Sequence, residues 1–484
     1  MKVLFAVSEC VPFVKSGGLA DVAGALPKEL LKLGAEIRII MPKYSMIADE
    51  YKASMIKKAE FPVKIGWRKQ YCGIEEFVYQ GMTYYFVDNQ DYFYQEKMYG
   101  YDDDGERFAF FNRAVLEALP YIDFYPALIH CHDWHTGMIP FLLKTEYCTR
   151  AGYESIRTVF TIHNLQFQGI MDRKALGDLF GLGDEYFTID QLEFYGGINF
   201  LKGALVSADK ITTVSPTYKQ EIQTEYYGEK LHGLLQKRKE DLEGILNGID
   251  AEFYHPETDV YLYETYSIGE LEKKRINKGR LQADFALPQM RDIPIIAMIT
   301  RLTAQKGFEI IQCVFQELMA EDIQFIILGT GDKKFVDFFR EMEATYPRKF
   351  SAYIGFDEGL AHRIYAGSDL FLMPSKFEPC GLGQMIAMKY GSVPIVRETG
   401  GLNDTVTMFN EQTGEGNGFS FSSFNAHEML FTIQHALRFY KDDLCFQKVV
   451  TNAMTTNNSW TRSASEYYQL YERLISRSEQ HVFK

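Results

Sequence analysis

Short runs of apolar and β-branched residues recur through the first half of the chain, at 3–7, 36–41, 127–131, 158–162 and 210–214, separated by stretches of helical periodicity. A strand that is apolar on both faces has to be covered on both faces, which is the situation of a parallel sheet flanked by crossover helices. A second series, at 293–299, 324–328, 369–373 and 393–396, repeats the alternation after a polar stretch rich in Tyr and Glu that runs to Glu272. A chain of 484 residues is longer than one hydrophobic core usually supports. The two series therefore predict two doubly wound α/β domains, residues 1–250 and 251–460. In this reading 245–250 is the last strand of the first domain, and the terminal segment 461–484 forms an amphipathic helix able to cross back to it.

Three further segments, 61–66, 71–79 and 82–87, lie close together with Gln80-Gly81 as a turn signal, and predict an antiparallel meander on the first domain. Pro27 falls inside a helical pattern at 22–33 and is expected to kink or split it. The apolar start could pass for a secretory leader, but Glu9 and Lys15 interrupt it, so 3–7 is expected to be a buried strand and no transit-like leader is read. No apolar run reaches the length that spans a bilayer.

The formal net charge of -14 argues against a nucleic-acid partner, which would need a basic footprint. Seven cysteines with no Cys-x-x-Cys pair indicate neither a disulfide framework nor a zinc ribbon, and suit a reducing cytoplasm.

Three loops follow strands and open helices. Lys15-Ser16-Gly17-Gly18-Leu19-Ala20-Asp21 joins two glycines to a cation, and can be an ordinary βα loop or one that meets a phosphate. It fits neither the Walker pattern nor Gly-x-Gly-x-x-Gly. Arg301 and Lys306 lie just past a strand, where two cations at a helix start point to an anionic ligand such as a diphosphate. In Pro374-Ser375-Lys376-Phe377-Glu378-Pro379-Cys380-Gly381-Leu382-Gly383 a carboxylate can accept from sugar hydroxyls while backbone N–H groups near Gly381 face phosphate. Glu398-Thr399-Gly400-Gly401-Leu402 repeats the format.

His130-Cys131-His132-Asp133-Trp134-His135 resembles a metal cluster, but His130 and His132 share a strand face from which Cys131 points away, so a polar strand tip lining a cleft is expected and no metal. His163 can be a sugar ligand or a structural histidine. Gly329-Thr330-Gly331-Asp332 is expected to be a tight turn.

Together, Lys15-Ser16-Gly17-Gly18, His132-Asp133-Trp134-His135, Ile162-His163-Asn164, Asn247-Gly248-Ile249-Asp250, Arg301 with Lys306-Gly307, the 374–382 loop and Thr399-Gly400-Gly401-Leu402 closely resemble the bacterial glycogen synthases and plant starch synthases, in unbroken order along the chain. The resemblance implies a GT-B fold, with two Rossmann-like domains facing each other across a deep cleft. It implies a retaining transfer of glucose from ADP-glucose to the 4-hydroxyl at the non-reducing end of an α-1,4-glucan such as glycogen, with no cofactor and no metal.

By that resemblance, Arg301 and Lys306 hold the diphosphate, Lys15 and the Gly17-Gly18 turn approach it from the first domain, and Asp21 supports that loop. Glu378 meets the donor glucose with His163 and Asn247 nearby, while Asp133 lines the acceptor side. Cys380, Gly381, Leu382, Thr399 and Gly400 complete the donor site, Cys380 without a nucleophilic role. Adenine lies near 353–356, where some relatives carry Tyr in place of Phe356. A glucan phosphorylase, which needs a lysine-linked pyridoxal phosphate, and a catalytically silent glucan-binding protein are the competing readings.

Overall fold

The computed structural model describes residues 1–482, with side chains through residue 476. The chain forms two compact units, one from Met1–Asn247 with the helix Trp460–Val482, the other from Gly248–Ser459.

The first unit is built on a nine-stranded sheet in the order Leu242–Gly244, Lys210–Thr213, Arg157–Ile162, Leu128–His132, Lys2–Ala6, Glu36–Pro42, Met82–Asp88, Arg68–Tyr79, Ile56–Ile65. Every pairing from Leu242–Gly244 to Met82–Asp88 is parallel, and the last two strands continue the sheet as an antiparallel meander, in which Gln80 and Gly81 turn Arg68–Tyr79 back into Met82–Asp88. The central strand shows why the apolar runs are continuous: Val3, Leu4, Phe5 and Ala6 are all fully buried, with Phe5 paired to Ile39 on one side and His130 on the other.

The second unit has a six-stranded, wholly parallel sheet in the order Phe350–Ile354, Gln324–Gly329, Ile295–Ile299, Leu370–Met373, Val393–Arg397, Phe419–Phe421. Its core is aromatic on one face, where Phe308, Phe315, Phe325, Phe339 and Phe350 pack together.

Both sheets start in the middle. In the second unit the chain begins at Ile295–Ile299, moves outward through Gln324–Gly329 to Phe350–Ile354, then returns to the other side at Leu370–Met373. In the first, Lys2–Ala6 plays the opening part and Leu128–His132 is the return. At such a reversal the loops after the two adjacent strands leave in opposite directions, and a crevice opens at the carboxyl ends of the strands. Arg301 follows one side of the reversal in the second unit and 374–383 the other. Lys15 and Asp133 occupy the matching places in the first.

Several expectations are corrected. The strand expected at 245–250 lies at Leu242–Gly244; Ile245 N–H still donates to Thr213 O, after which Asn247 and Gly248 leave the sheet, and Ile249 only bridges to Ser459. The helix Gly18–Lys32 runs through Pro27 without a break, its buried face of Leu19, Val22, Ala23, Leu26 and Leu30 offsetting the lost hydrogen bond. Gly329 and Gly331 make no tight turn. A Cβ on Gly329 would lie 1.9 Å from Thr300 O, so this segment is extended backbone pressed against the Arg301 loop, where Leu302 N–H donates to Thr330 O. Phe350–Ile354 and Phe419–Phe421, both edge strands, were not expected.

The terminal helix buries Trp460, Ala464, Tyr467, Tyr471 and Leu474, a stripe at alternating spacings of four and three. It lies against Gly18–Lys32, and the Tyr471 hydroxyl is 2.7 Å from His130 Nδ1, linking residues 341 apart in sequence. Among the described residues no helix is long and apolar enough to cross a membrane. Tyr471→Phe should leave a fully buried imidazole nitrogen unpaired and cost about 1–3 kcal/mol in the unfolding free energy of the first unit, read from denaturant titration. An unchanged midpoint would mean that the bond contributes nothing.

Candidate functional site

In the second unit three loops interlock at the carboxyl edge of the sheet. Lys306 Nζ lies 2.6 Å from Glu378 Oε2, and the same oxygen accepts from Ser375 Oγ at 3.0 Å. Both charged side chains are largely buried, so the pair is held far more firmly than a surface ion pair. Glu378 Oε1 has no recorded partner among the described residues. Arg301 is exposed and makes no side-chain hydrogen bond or ion pair to them. Gln305 ties the loops together: its carbonyl accepts from Lys376 N–H at 2.8 Å, and its amide donates to Phe377 O at 3.3 Å.

Two glycines make this interlocking possible. Gly307 has φ +79° and a Cβ there would lie 2.0 Å from Pro374 O. Gly400 has φ +46° and a Cβ would lie 1.9 Å from Glu378 O. Any side chain at either place would push the carboxylate loop away from its neighbours. Gly401 N–H donates toward Glu378 O and Pro379 O, each at 3.2 Å, so backbone as well as side chain fixes this loop. Cys380 is buried beside Gly401, Gly381 has φ +74°, Leu382 precedes the short helix Gly383–Lys389, and Thr399 precedes Gly400–Thr405. Lys306 ends a single 3-10 turn, and the helix opens only at Phe308. Its charge is balanced by Glu378, so the helix-dipole argument for a ligand loses force there. Tyr353 and Phe356 are exposed on the edge strand and the loop after it.

In the first unit, Lys15 Nζ meets Asp21 Oδ1 at 2.9 Å, closing the loop onto the first turn of the helix that it precedes. The loop is also pinned from beneath. Glu9, 4% exposed, accepts from Ser16 N–H at 2.5 Å and from Ser16 Oγ–H at 2.8 Å. Gly17 is extended, and a Cβ on it would meet nothing nearer than Glu9 Oε1 at 3.9 Å. The unit's own packing therefore leaves open space at Gly17. Gly18 begins the helix.

Asp133 ends the fourth parallel strand with φ 55°, a conformation rare for a non-glycine residue and strained. It is held there because its own N–H donates to Thr161 O while Oδ1 accepts from His163 N–H at 2.8 Å and Asn164 N–H at 3.4 Å. His163 Nε2 is 2.9 Å from His132 Nδ1. Against expectation, His130 and His132 line no cleft: both are fully buried, their ring centres 4.1 Å apart, because Phe5 and the terminal helix cover the strand face that they share. Burial holds His130 and His132 neutral, and pulls His163 down to about 3. Among the described residues no three His, Cys, Asp or Glu side chains are grouped to hold a metal ion. Asn247 is buried where the first unit ends, with Oδ1 lacking a partner among the described residues.

The structure thus gathers Arg301, Lys306, Glu378, Cys380, Gly381, Leu382, Thr399 and Gly400 in one unit. In the other, Lys15, Gly17, Gly18 and Asp21 form one group and Asp133 with His163 a second. Sequence reading assigns no role to Glu9, Ser375, Gln305 or His132. Ser375 and His132 stand within the quoted motifs, and Glu9 carries a signal of its own, an acid shortly after the first buried strand.

Burial pushes the carboxyls of Glu9 and Asp133 up to about 7, against hydrogen bonds from Ser16 in one case and from His163 and Asn164 in the other. Each therefore keeps its proton to higher pH when folded than when unfolded. The folded chain binds more protons between about pH 4 and 7, so stability falls as pH rises through that window. Glu9→Gln cannot ionise, and its stability relative to the wild type should improve by about 2–3 kcal/mol from pH 5 to pH 8. Parallel denaturation curves at the two pH values measure this, and a constant difference would remove Glu9 from the titration.

Comparisons with known proteins agree with this division. The family described as "Starch synthase catalytic domain" matches residues 2–237, and "Glycosyl transferases group 1" matches residues 282–443. The chain is 61% identical to a glycogen synthase of Geobacillus thermodenitrificans (strain NG80-2), covering 99% of each chain. It is 56% identical to one of Bacillus cereus (strain ZK / E33L), covering 98% of this chain and 100% of the relative. Among solved structures, the catalytic domain of starch synthase IV from Arabidopsis thaliana, bound to ADP and acarbose, superposes with a TM-score of 0.93 at 34% identity, over 98% of this chain and 99% of that one. Two parallel-sheet units with paired loops at each strand reversal, and identity sustained over the whole length, place the chain in the glycogen synthase family of GT-B glycosyltransferases.

Proposed function

We propose that the protein elongates an α-1,4-glucan by transferring glucose from ADP-glucose to the 4-hydroxyl at its non-reducing end, with retention of anomeric configuration. The buried Lys306–Glu378 pair, with Arg301 exposed and without a side-chain partner among the described residues at the same strand reversal of the second unit, carries this reading. A lysine already fixed beside a carboxylate brings a phosphate-binding cation and a hydroxyl acceptor within one ligand's reach. Glu378 Oε2 is committed to Lys306 and Ser375, and Oε1 is left for the sugar. Arg301 and Lys306 neutralise the charge that grows on the departing diphosphate, which is where fixed cations lower a barrier most. Lys15, steered by Asp21, and the open backbone at Gly17 add to the same group, with Cys380, Gly381, Leu382, Thr399 and Gly400 shaping the rest of the donor site.

The leaving diphosphate takes the proton of the attacking hydroxyl, so a loose, oxocarbenium-like transition state needs no protein nucleophile. His163 and Asn247 face the donor glucose, and Asp133 the acceptor side. The cations supply the charge neutralisation that a metal gives in other transferases, so no metal or other cofactor takes part. The absence of a disulfide among the described cysteines suits a cytoplasmic enzyme. ADP in the similar starch synthase structure supports an adenine nucleotide as product.

ADP release from ADP-glucose and glucan should exceed nucleotide release from UDP-glucose, and phosphate with glucan should yield no glucose 1-phosphate. Glucose 1-phosphate as the only product would overturn the reading. Glu378→Ala and Lys306→Ala should fold and lose on the order of 10²–10³-fold in kcat, whereas Lys15→Ala should chiefly raise KM for the donor. Turnover after exhaustive chelation and desalting should match the untreated enzyme; a loss restored by a divalent cation would mean that a metal carries part of the charge.

A further inference from the structure

His132 does nothing in the reading above, yet it is fully buried and, among the described residues, its side chain makes one hydrogen bond, to His163. The contact joins His132 Nδ1 to His163 Nε2 at 2.9 Å, and between two neutral imidazoles one ring must donate and the other accept. Two arrangements are available. If His163 donated from Nε2, His132 would accept at Nδ1 and carry its own proton on Nε2. That nitrogen is sealed in the core with no hydrogen-bond partner among the described residues, its ring between Phe5, stacked at 5.3 Å, and His130 at 4.1 Å. Orphaned buried N–H groups are rare in folded proteins, and bare acceptors are better tolerated. If His132 donates from Nδ1, no N–H is stranded, and the lone pair of His163 Nε2 is used internally.

We propose that His132 is a positioning residue that locks His163 in the tautomer protonated on Nδ1, so that this imidazole offers a substrate oxygen a proton donor and cannot act there as a base. His163 is only half-buried at its strand tip, and Nδ1 is the ring nitrogen without a partner among the described residues, so any ligand of the ring must use it. Neighbouring interactions hold His132 in register. Its backbone N–H donates to Thr136 Oγ1 at 2.6 Å, and His130 is fixed between Tyr471 and Thr161 and has no bond to spare for it. The strong depression of both imidazoles by burial keeps an imidazolium from intervening. The donor role rests on the proposal that His163 faces the transferred sugar; the tautomer lock does not.

Nitrogen-15 NMR of histidine-labelled wild-type protein, with His163 assigned by the signal lost in His163→Ala, reads the tautomer directly. Nδ1 should resonate as a protonated nitrogen and Nε2 as an unprotonated one at pH 7. The reverse pattern, or an averaged one, overturns the lock. Kinetically, His132→Leu removes the donor, and kcat should fall about tenfold or more with KM for ADP-glucose within about twofold. His132→Asn places an amide N–H near the position of Nδ1 and should recover most of the lost rate. Equal impairment in both variants would make His132 a packing residue and overturn the positioning role. A locked tautomer together with undiminished turnover in His163→Ala would overturn the donor role and the placement of His163 beside the sugar, leaving the rest of the proposed reaction standing.

Discussion

All strands of a parallel sheet end on one side, and where the chain order reverses the two neighbouring loops diverge. Nearly everything else in this structure answers that single constraint. The reversal opens a crevice without any side chain being removed to make it, but the diverging loops have no reason to stay together. In the second unit they are joined by backbone approaches that only glycine permits, at Gly307 and Gly400, and by one buried ion pair, Lys306 with Glu378. In the first, the corresponding work is done by carboxylates: Glu9 pins Ser16, and Asp133 pins the backbone of His163 and Asn164.

The difference has an electrostatic side. Lys306 and Glu378 offset one another, whereas Glu9 and Asp133 are buried with hydrogen bonds alone, and the charge of Asp21 adds to the rise at Glu9 as that of Glu9 does at Asp133. Their carboxyls therefore hold their protons up to about pH 7. The imidazoles beside them are held uncharged by the same burial. Apart from the Lys15–Asp21 pair, the first unit thus relies on buried groups with little fixed charge, while the second sets Lys306 against Glu378 and leaves Arg301 exposed.

The parallel strands were legible because a doubly covered strand must be apolar along its whole length, as Val3 to Ala6 are. The edge strands were not. Phe350–Ile354 carries the partly exposed Ser351, Ala352, Tyr353 and Ile354, and reads no differently from a loop. The motif loops declared their places because glycine, proline and charge cluster there, and Gly307 and Gly400 turn out to be demanded by backbone contacts. What sequence could not disclose were partnerships across long separations, such as Lys306 with Glu378, or Tyr471 with His130. The histidine cluster is the clearest case. Alternation correctly put His130 and His132 on one face, but nothing local said that a helix beginning at Trp460 would cover that face and make them core.

That helix bears on how the protein is made. The second unit is continuous from Gly248 to Ser459 and can complete its sheet as soon as it has left the ribosome. The first unit, though it emerges earlier, lacks the cover for His130 and for the helix Gly18–Lys32 until Trp460–Val482 has been synthesised. The half of the protein that is begun first is therefore finished last, and its sheet must wait through translation of the entire second unit with a stripe of buried-to-be surface open to water, and to chaperones.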